Sequence, residues 1–324
     1  MNTRITTQET TGAIDSILDT VGNTPLVRLK QISATTGIDV YGKLEMANPG
    51  GSIKDRTSLS ILEHGIKEGF ITPATTLVES SSGNMAIGLA QVCSYYNIPL
   101  IIVVDPKANA HTIKILKAYG VTVDRVEKPA DHGGYLQARL DRVQQLLQDI
   151  PDSFWTNQYA NHANPQAHYH TMAEIAQKLP GVDYVFAATS TCGTLMGCAS
   201  YIQANGLTAQ LIAVDAVGSV IFGDKPKKRL IPGHGAAVAS KFLDKKVIDG
   251  VVHITDLECV EGCNKLLKSE SILAGGSSGG VISAFLKMAP TLPKDAKCVL
   301  ILCDRGERYL DTIYNEQWVA KKLK

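Results

Sequence analysis

Short apolar runs alternate with amphipathic helical patterns along almost the whole chain, and this alternation restricts the architecture more than any other feature. DVYGKLE (39–45), TTLVES (75–80), PLIIVVD (99–105) and VTVDRVE (121–127) read as strands. KDRTSLSILEHGIKEG (54–69), NMAIGLAQVCSYYN (84–97), NAHTIKILKAYG (109–120) and GYLQARLDRVQQLLQ (134–148) read as helices, the third closed by Gly120. FWTNQY (154–159) opens a second series, whose strands are VDYVFAAT (182–189), LIAVDA (211–216), VVHIT (251–255) and KCVLILC (297–303). Strands this apolar, separated by helices, belong in a mostly parallel sheet covered on both faces. Their number exceeds one comfortable sheet, so the expected fold is α/β, with two αβα domains.

Composition narrows the partners. Hydrophobic residues make up 44% and charged residues 19% of the 324 positions, the balance of a globular protein with a sizeable core. The formal charge of +1 gives no electrostatic case for nucleic acid or an anionic membrane. The longest apolar runs are too short to cross a bilayer, and MNTRITTQETTGAIDS lacks a secretory core. A cytoplasmic location is expected. The 7 cysteines, an odd number without a C-x-x-C pair, read as buried free thiols in a reducing compartment. No metal is expected: His162, His168 and His170 have no carboxylate or cysteine at ligand spacing. The polar residues 1–12 are expected to be a mobile tail.

Ligands of parallel sheets sit where strand ends lead into helix starts. Four such loops are rich in small residues: NPGGSIKDR (48–56), ESSSGNMAIG (79–88), ATSTCGTLMG (188–197) and LAGGSSGG (273–280). The third could bring backbone N–H groups and a helix dipole to a phosphate, or be an N-capped helix after a tight turn. It matches neither G-x-G-x-x-G nor the P-loop pattern. Lys54 stands near a helix N-terminus, where the dipole disfavours a cation by up to ~1 kcal/mol. A solvated lysine is one reading. A buried amine with a lowered pKa, and so a nucleophile, is the other. Such a lysine with a separate phosphate cradle describes a phosphorylated aldehyde cofactor, pyridoxal 5'-phosphate.

From VGNTPLVRL (21–29) to DRGERYL (304–310) the chain resembles the fold-type II pyridoxal-phosphate enzymes of the cysteine synthase and cystathionine β-synthase group, which have a tryptophan synthase β-like fold. The resemblance implies that Lys54 is the Schiff-base lysine and proton carrier. It implies that Asn84 binds the cofactor's ring hydroxyl and that Ser277 faces the ring nitrogen. Ser190, Thr191, Cys192, Gly193 and Thr194 would hold the phosphate, and Ser81, Ser82 and Asn84 the substrate α-carboxylate. It further implies a large cofactor-binding domain (13–47 plus 155–316), a small mobile domain (48–154) closing over substrate, tails at 1–12 and 317–324, and a homodimer.

The departures from that pattern bear on substrate. Met85 follows the asparagine where threonine is usual, S-T-C-G-T replaces G-T-G-G-T, and Gln158-Tyr159 replaces Gln-Phe. These features, with HGGYLQAR and GSVIFGDKP, resemble a branch that joins O-phospho-L-serine to L-glutamate, a step toward L-2,3-diaminopropionate and siderophores. On that resemblance Arg139, Gln158, Tyr159 and Ser190 would recognise substrate. By itself Arg139 reads as a solvated helix position, and Lys225, Lys227, Lys228 and Arg229 as an exposed loop. The rival expectations are a cysteine synthase using sulfide with O-acetylserine or O-phosphoserine, and a non-catalytic regulatory protein of the same fold.

Overall fold

A computed structural model describes residues 13–223 and 225–323; the expected tail at 1–12 lies outside them. In chain order, the first half contains β1 (Leu26–Arg28), α1 (Lys30–Thr36), β2 (Asp39–Leu44), α2 (Lys54–Lys67), β3 (Thr76–Ser80), α3 (Asn84–Tyr96), β4 (Leu100–Val104), α4 (Ala110–Ala118), β5 (Thr122–Arg125), α5 (Gly134–Asp149) and β6 (Ser153–Trp155). The second half contains α6 (Ala163–Lys178), β7 (Tyr184–Ala188), α7 (Gly193–Ala204), β8 (Gln210–Ala216), β9 (Gly250–Ile254), α8 (Asp256–Glu270), α9 (Gly276–Met288), β10 (Lys297–Leu302) and α10 (Glu316–Lys322).

The strands form a six-stranded sheet of order β1-β2-β10-β7-β8-β9 and a four-stranded sheet of order β5-β4-β3-β6. Pairing is parallel except between β1 and β2. Period-2 alternation sends successive apolar residues to opposite faces. Phe186, Ile212, Val214 and Leu300 pack with Val260 of α8 and Phe285 of α9. Their neighbours Val185, Ala187, Leu211, Ala213, Val299 and Ile301 pack with Met172 of α6 and Leu195 of α7. The smaller sheet repeats the arrangement. Leu77, Leu100 and Ile102 meet Ile61, Leu89 and Leu116 of α2, α3 and α4, while Val78 and Val103 meet Val143 and Leu146 of α5.

Three expected boundaries are corrected. FWTNQY does not open the second series: β6 pairs with β3 and closes the small sheet, so a boundary between 154 and 155 cuts a strand. Residues 13–47 do not belong wholly to the large body, because Leu18 is buried among Ile61, Leu62 and Leu77. The segment from 317 is not a loose tail. It continues α10, which Asn315 caps by accepting the Trp318 N–H, and Val319 and Leu323 pack on the large core.

Candidate active site

The C-terminal ends of β3, β6, β7 and β10 meet the start of α2 around a cleft of about 310 Å³. Lys54, Ser81, Ser82, Asn84, Arg139, Gln158, Tyr159, Ser277 and the whole of Ser190–Thr194 line it. Every expected site residue is thus brought to one place, from segments more than 200 residues apart.

Lys54 is the first residue of α2, its N–H 3.2 Å from Ser52 Oγ. The preceding glycines serve the turn. Gly51 has φ +86°, and a Cβ on Gly50 would fall 2.7 Å from Asp55 Oδ1. The Gly50 N–H donates to Asp55 Oδ2 at 2.6 Å. This buried carboxyl is pushed up to about 7 by desolvation, despite that bond and the Arg308 charge. Burial lowers the Lys54 pKa against the opposing pull of Cys303, Asp304 and Cys192, so the neutral amine is reached at lower pH than in water.

In the same cleft, Cys192 (φ +64°) turns the chain into α7. The Gly193 N–H donates to Thr191 Oγ1 at 3.3 Å, and Asn164 Nδ2 donates to the same oxygen at 3.1 Å. Asn164 Nδ2 also donates to the Gln158 carbonyl at 2.7 Å, tying the two loops together. Gly193 permits this closeness, since a Cβ there would lie 2.1 Å from Asn164 Oδ1. Burial pushes the Cys192 thiol up to about 12, so it is neutral at physiological pH.

Glu79 performs a similar service for the loops after β3 and β6. Its Oε2 accepts from Thr156 Oγ1 at 2.6 Å and from the Gln158 N–H at 3.3 Å, while Oε1 accepts the Ser80 N–H at 2.8 Å. The Tyr159 hydroxyl is 3.5 Å from Ser190 Oγ. Burial raises the tyrosine's pKa, with Ser190 opposing, which keeps the phenol protonated and able to donate. Arg139 is not a solvated helix residue. Its side chain is 16% exposed, and Nε lies 3.2 Å from Asp105 Oδ2. Lys225, Lys227 and Lys228 are exposed, as the loop reading expected. Arg229 turns inward and donates to the His234 carbonyl at 2.9 Å. His168 is buried between Thr57 and Thr171, a core histidine.

Residues 304–309 are participants whose roles were not read from the sequence. Asn84 Nδ2 donates to Asp304 Oδ2 at 2.8 Å, and Arg308 donates to Asn84 Oδ1 and to the Gly50 carbonyl. Tyr309, which lines the cleft, donates to Asp304 Oδ2 at 2.5 Å. The available signal was position: DRGERYL directly follows the buried strand β10.

A family model described as pyridoxal-phosphate dependent enzyme matches residues 17–304. The chain belongs to this family. It is 33% identical to an O-acetylserine dependent cystathionine β-synthase from Helicobacter pylori, with a TM-score of 0.85 over 94% of this chain and 99% of that one. It is 32% identical to a hydrogen sulfide-producing enzyme from Fusobacterium nucleatum, with a TM-score of 0.86 over 92% and 100% of the two chains. An O-ureido-L-serine synthase is 29% identical, with a TM-score of 0.86 over 95% and 99%.

The donor set fits pyridoxal phosphate, the cofactor of the family. The cleft offers the Lys54 amine together with the hydroxyls and helix start of Ser190–Thr194. Ser80 Oγ, on the cleft wall, is buried without a hydrogen-bond partner. Among the described residues no helix is long and apolar enough to cross a membrane.

Proposed function

We propose that the chain is an N-(2-amino-2-carboxyethyl)-L-glutamate synthase, a β-replacement enzyme joining O-phospho-L-serine to L-glutamate with release of phosphate. The observation that carries this reading is that Arg139, Tyr159 and Ser190 line the same cleft as Lys54, with the Tyr159 and Ser190 hydroxyls 3.5 Å apart. A phosphorylated donor and a dicarboxylate acceptor need cationic and hydroxyl donors beyond the cofactor cradle, and these three residues supply them. The product serves L-2,3-diaminopropionate and siderophore synthesis, and the enzyme acts as a cytoplasmic homodimer.

Bound pyridoxal phosphate supplies the sink for the electron pair left when the Cα proton departs. Lys54 would hold the cofactor, and its freed Nζ would take that proton. Its lowered pKa suits a neutral base. Ser277 would present a hydroxyl, not a carboxylate, to the ring nitrogen and so would not hold it protonated. Charge at Cα is then relieved by expelling phosphate from Cβ. Ser81, Ser82 and Asn84, at the start of α3, hold the α-carboxylate. The glutamate amine attacks Cβ, steered by Arg139, Tyr159 and Ser190, and Lys54 returns the proton to Cα. Closure of the small body (48 to the end of β6) over the α-carboxylate would exclude water, which otherwise diverts the reaction to pyruvate and ammonia.

A second reading is favoured by the relatives that use O-acetylserine or produce hydrogen sulfide: a cysteine synthase-like β-replacement with sulfide. Donor and acceptor are tested together by following phosphate or acetate release from O-phospho-L-serine and O-acetyl-L-serine, with a panel of amino acids. Phosphate release stimulated selectively by L-glutamate is expected. Acetate release indifferent to every amino acid would contradict the proposal.

A further inference from the structure

Asn84 has an amide with two different ends, and its neighbours assign them. The Arg308 guanidinium can only donate, and it meets Oδ1. The Asp304 carboxylate accepts from Nδ2 at 2.8 Å. Asp304 is itself held, 2% exposed, by the Tyr309 hydroxyl at 2.5 Å, and its Oδ1 would be 2.1 Å from a Cβ on Gly275. Arg308 is anchored independently. It donates to the Gly50 carbonyl, and its own carbonyl accepts from Asn109 Nδ2 at 3.2 Å. Turning the Asn84 amide over would set Nδ2 against the guanidinium and Oδ1 against the carboxylate, which loses both bonds and adds two repulsions.

We propose that Arg308 and Asp304 are positioning residues that fix Asn84 as a pure donor toward the cleft, so that it stabilises an ionised oxygen on the cofactor ring. One N–H of Nδ2 remains after Asp304 is satisfied, and Oδ1 is occupied. The amide can therefore give a hydrogen bond to a ring oxygen and cannot take one. A donor favours the oxide over the hydroxyl. This inference rests on the assignment of Asn84 to the ring oxygen and extends it to the residues that set the amide's direction. The charged and titratable groups around this corner are Lys54, Asp55, Cys303, Asp304, Arg308 and Tyr309.

The test is a pH titration of the visible absorbance of the holoenzyme, carrying pyridoxal phosphate on Lys54, without substrate. Wild type is compared with Asn84→Ala, Arg308→Leu, Arg308→Lys and the double variant Arg308→Leu/Asn84→Ala. Arg308→Leu removes the partner of Oδ1 and leaves the amide held at one end only, by Asp304, so the donor orientation is less strongly enforced and the titration midpoint is expected to rise, by up to about one pH unit, a tenfold change in the ring ionisation. Arg308→Lys keeps a donor and should stay near wild type. Arg308→Leu should add no shift in the Asn84→Ala background. Equal shifts in both backgrounds would overturn the proposal, because Arg308 would then act by its charge alone. A shift in Asn84→Ala with none in Arg308→Leu would overturn it while leaving Asn84 at the ring. An unmoved Asn84→Ala would overturn the underlying assignment as well. Arg308→Met is the second variant should the leucine not fold.

Discussion

Arg139 shows how a residue can look solvated in sequence and line a cleft in the fold. Asp105 Oδ1 is pinned by the Lys107 N–H at 2.8 Å, which leaves Oδ2 to hold Arg139 Nε at 3.2 Å. Nε is buried without a bond of hydrogen-bond geometry, so the contact is electrostatic. Losing a charge-assisted bond to substrate is worth about 1.5–3 kcal/mol. Arg139→Ala should therefore lower kcat/KM about 10- to 100-fold, while the absorbance of the lysine-bound cofactor persists. Steady-state kinetics alongside the spectrum checks this, and unchanged kinetics would leave Arg139 a structural partner of Asp105. The pairing joins residues 34 positions apart on β4's exit and α5 and has no local signature. That is why the helix pattern alone suggested solvent.

Between elements, the other flank of α2 is joined to the large body by buried charge. Arg56 pairs with Glu45 at 2.7 Å and with Glu174 of α6 at 2.7 Å. Lys43 of β2, with a side chain 0% exposed, meets Glu174 at 2.5 Å. Burial alone would raise the Glu174 carboxyl, but Arg56 and Lys43 win and hold it at about 2. Because the folded value is depressed, this stability is complete above the ordinary carboxyl pKa of 4.5 and fades as pH falls toward 2. Glu174→Gln takes the carboxylate away from the buried Lys43, which keeps the Thr24 carbonyl, and from two of the five Arg56 bonds, so it should destabilise by about 3 kcal/mol near neutral pH and by less at pH 3. Denaturant melts at the two pH values decide it, and an equal loss at both would refute the electrostatic origin. Glycine roles show how packing escapes sequence inspection. A Cβ on Gly262 of α8 would lie 1.9 Å from the Gly279 carbonyl of α9, so part of the GGSSGG run brings two helices together and does not face the ligand. Long elements were legible because burial on both faces leaves an unmistakable apolar period. β1 and β6, at three residues each, are too short to carry one, and their sheet partners are set by tertiary contacts.

At the scale of the whole molecule, two sheets direct their strand ends into one cleft, and loops from both contribute to it. The motif residues were legible because each sits in a run of small residues at a helix start, and those at 81–84 and 190–194 also follow a strand exit, where parallel α/β topology puts ligands. The residues that hold them, Glu79, Asn164, Asp304 and Arg308, were not, because what they do depends on a partner reached only through the fold. The identity of the acceptor is decided by competition. The enzyme is given O-phospho-L-serine with equal concentrations of L-glutamate and sulfide, and the products are weighed by mass spectrometry. N-(2-amino-2-carboxyethyl)-L-glutamate is expected as the main product; exclusive formation of cysteine would make sulfide, not glutamate, the acceptor.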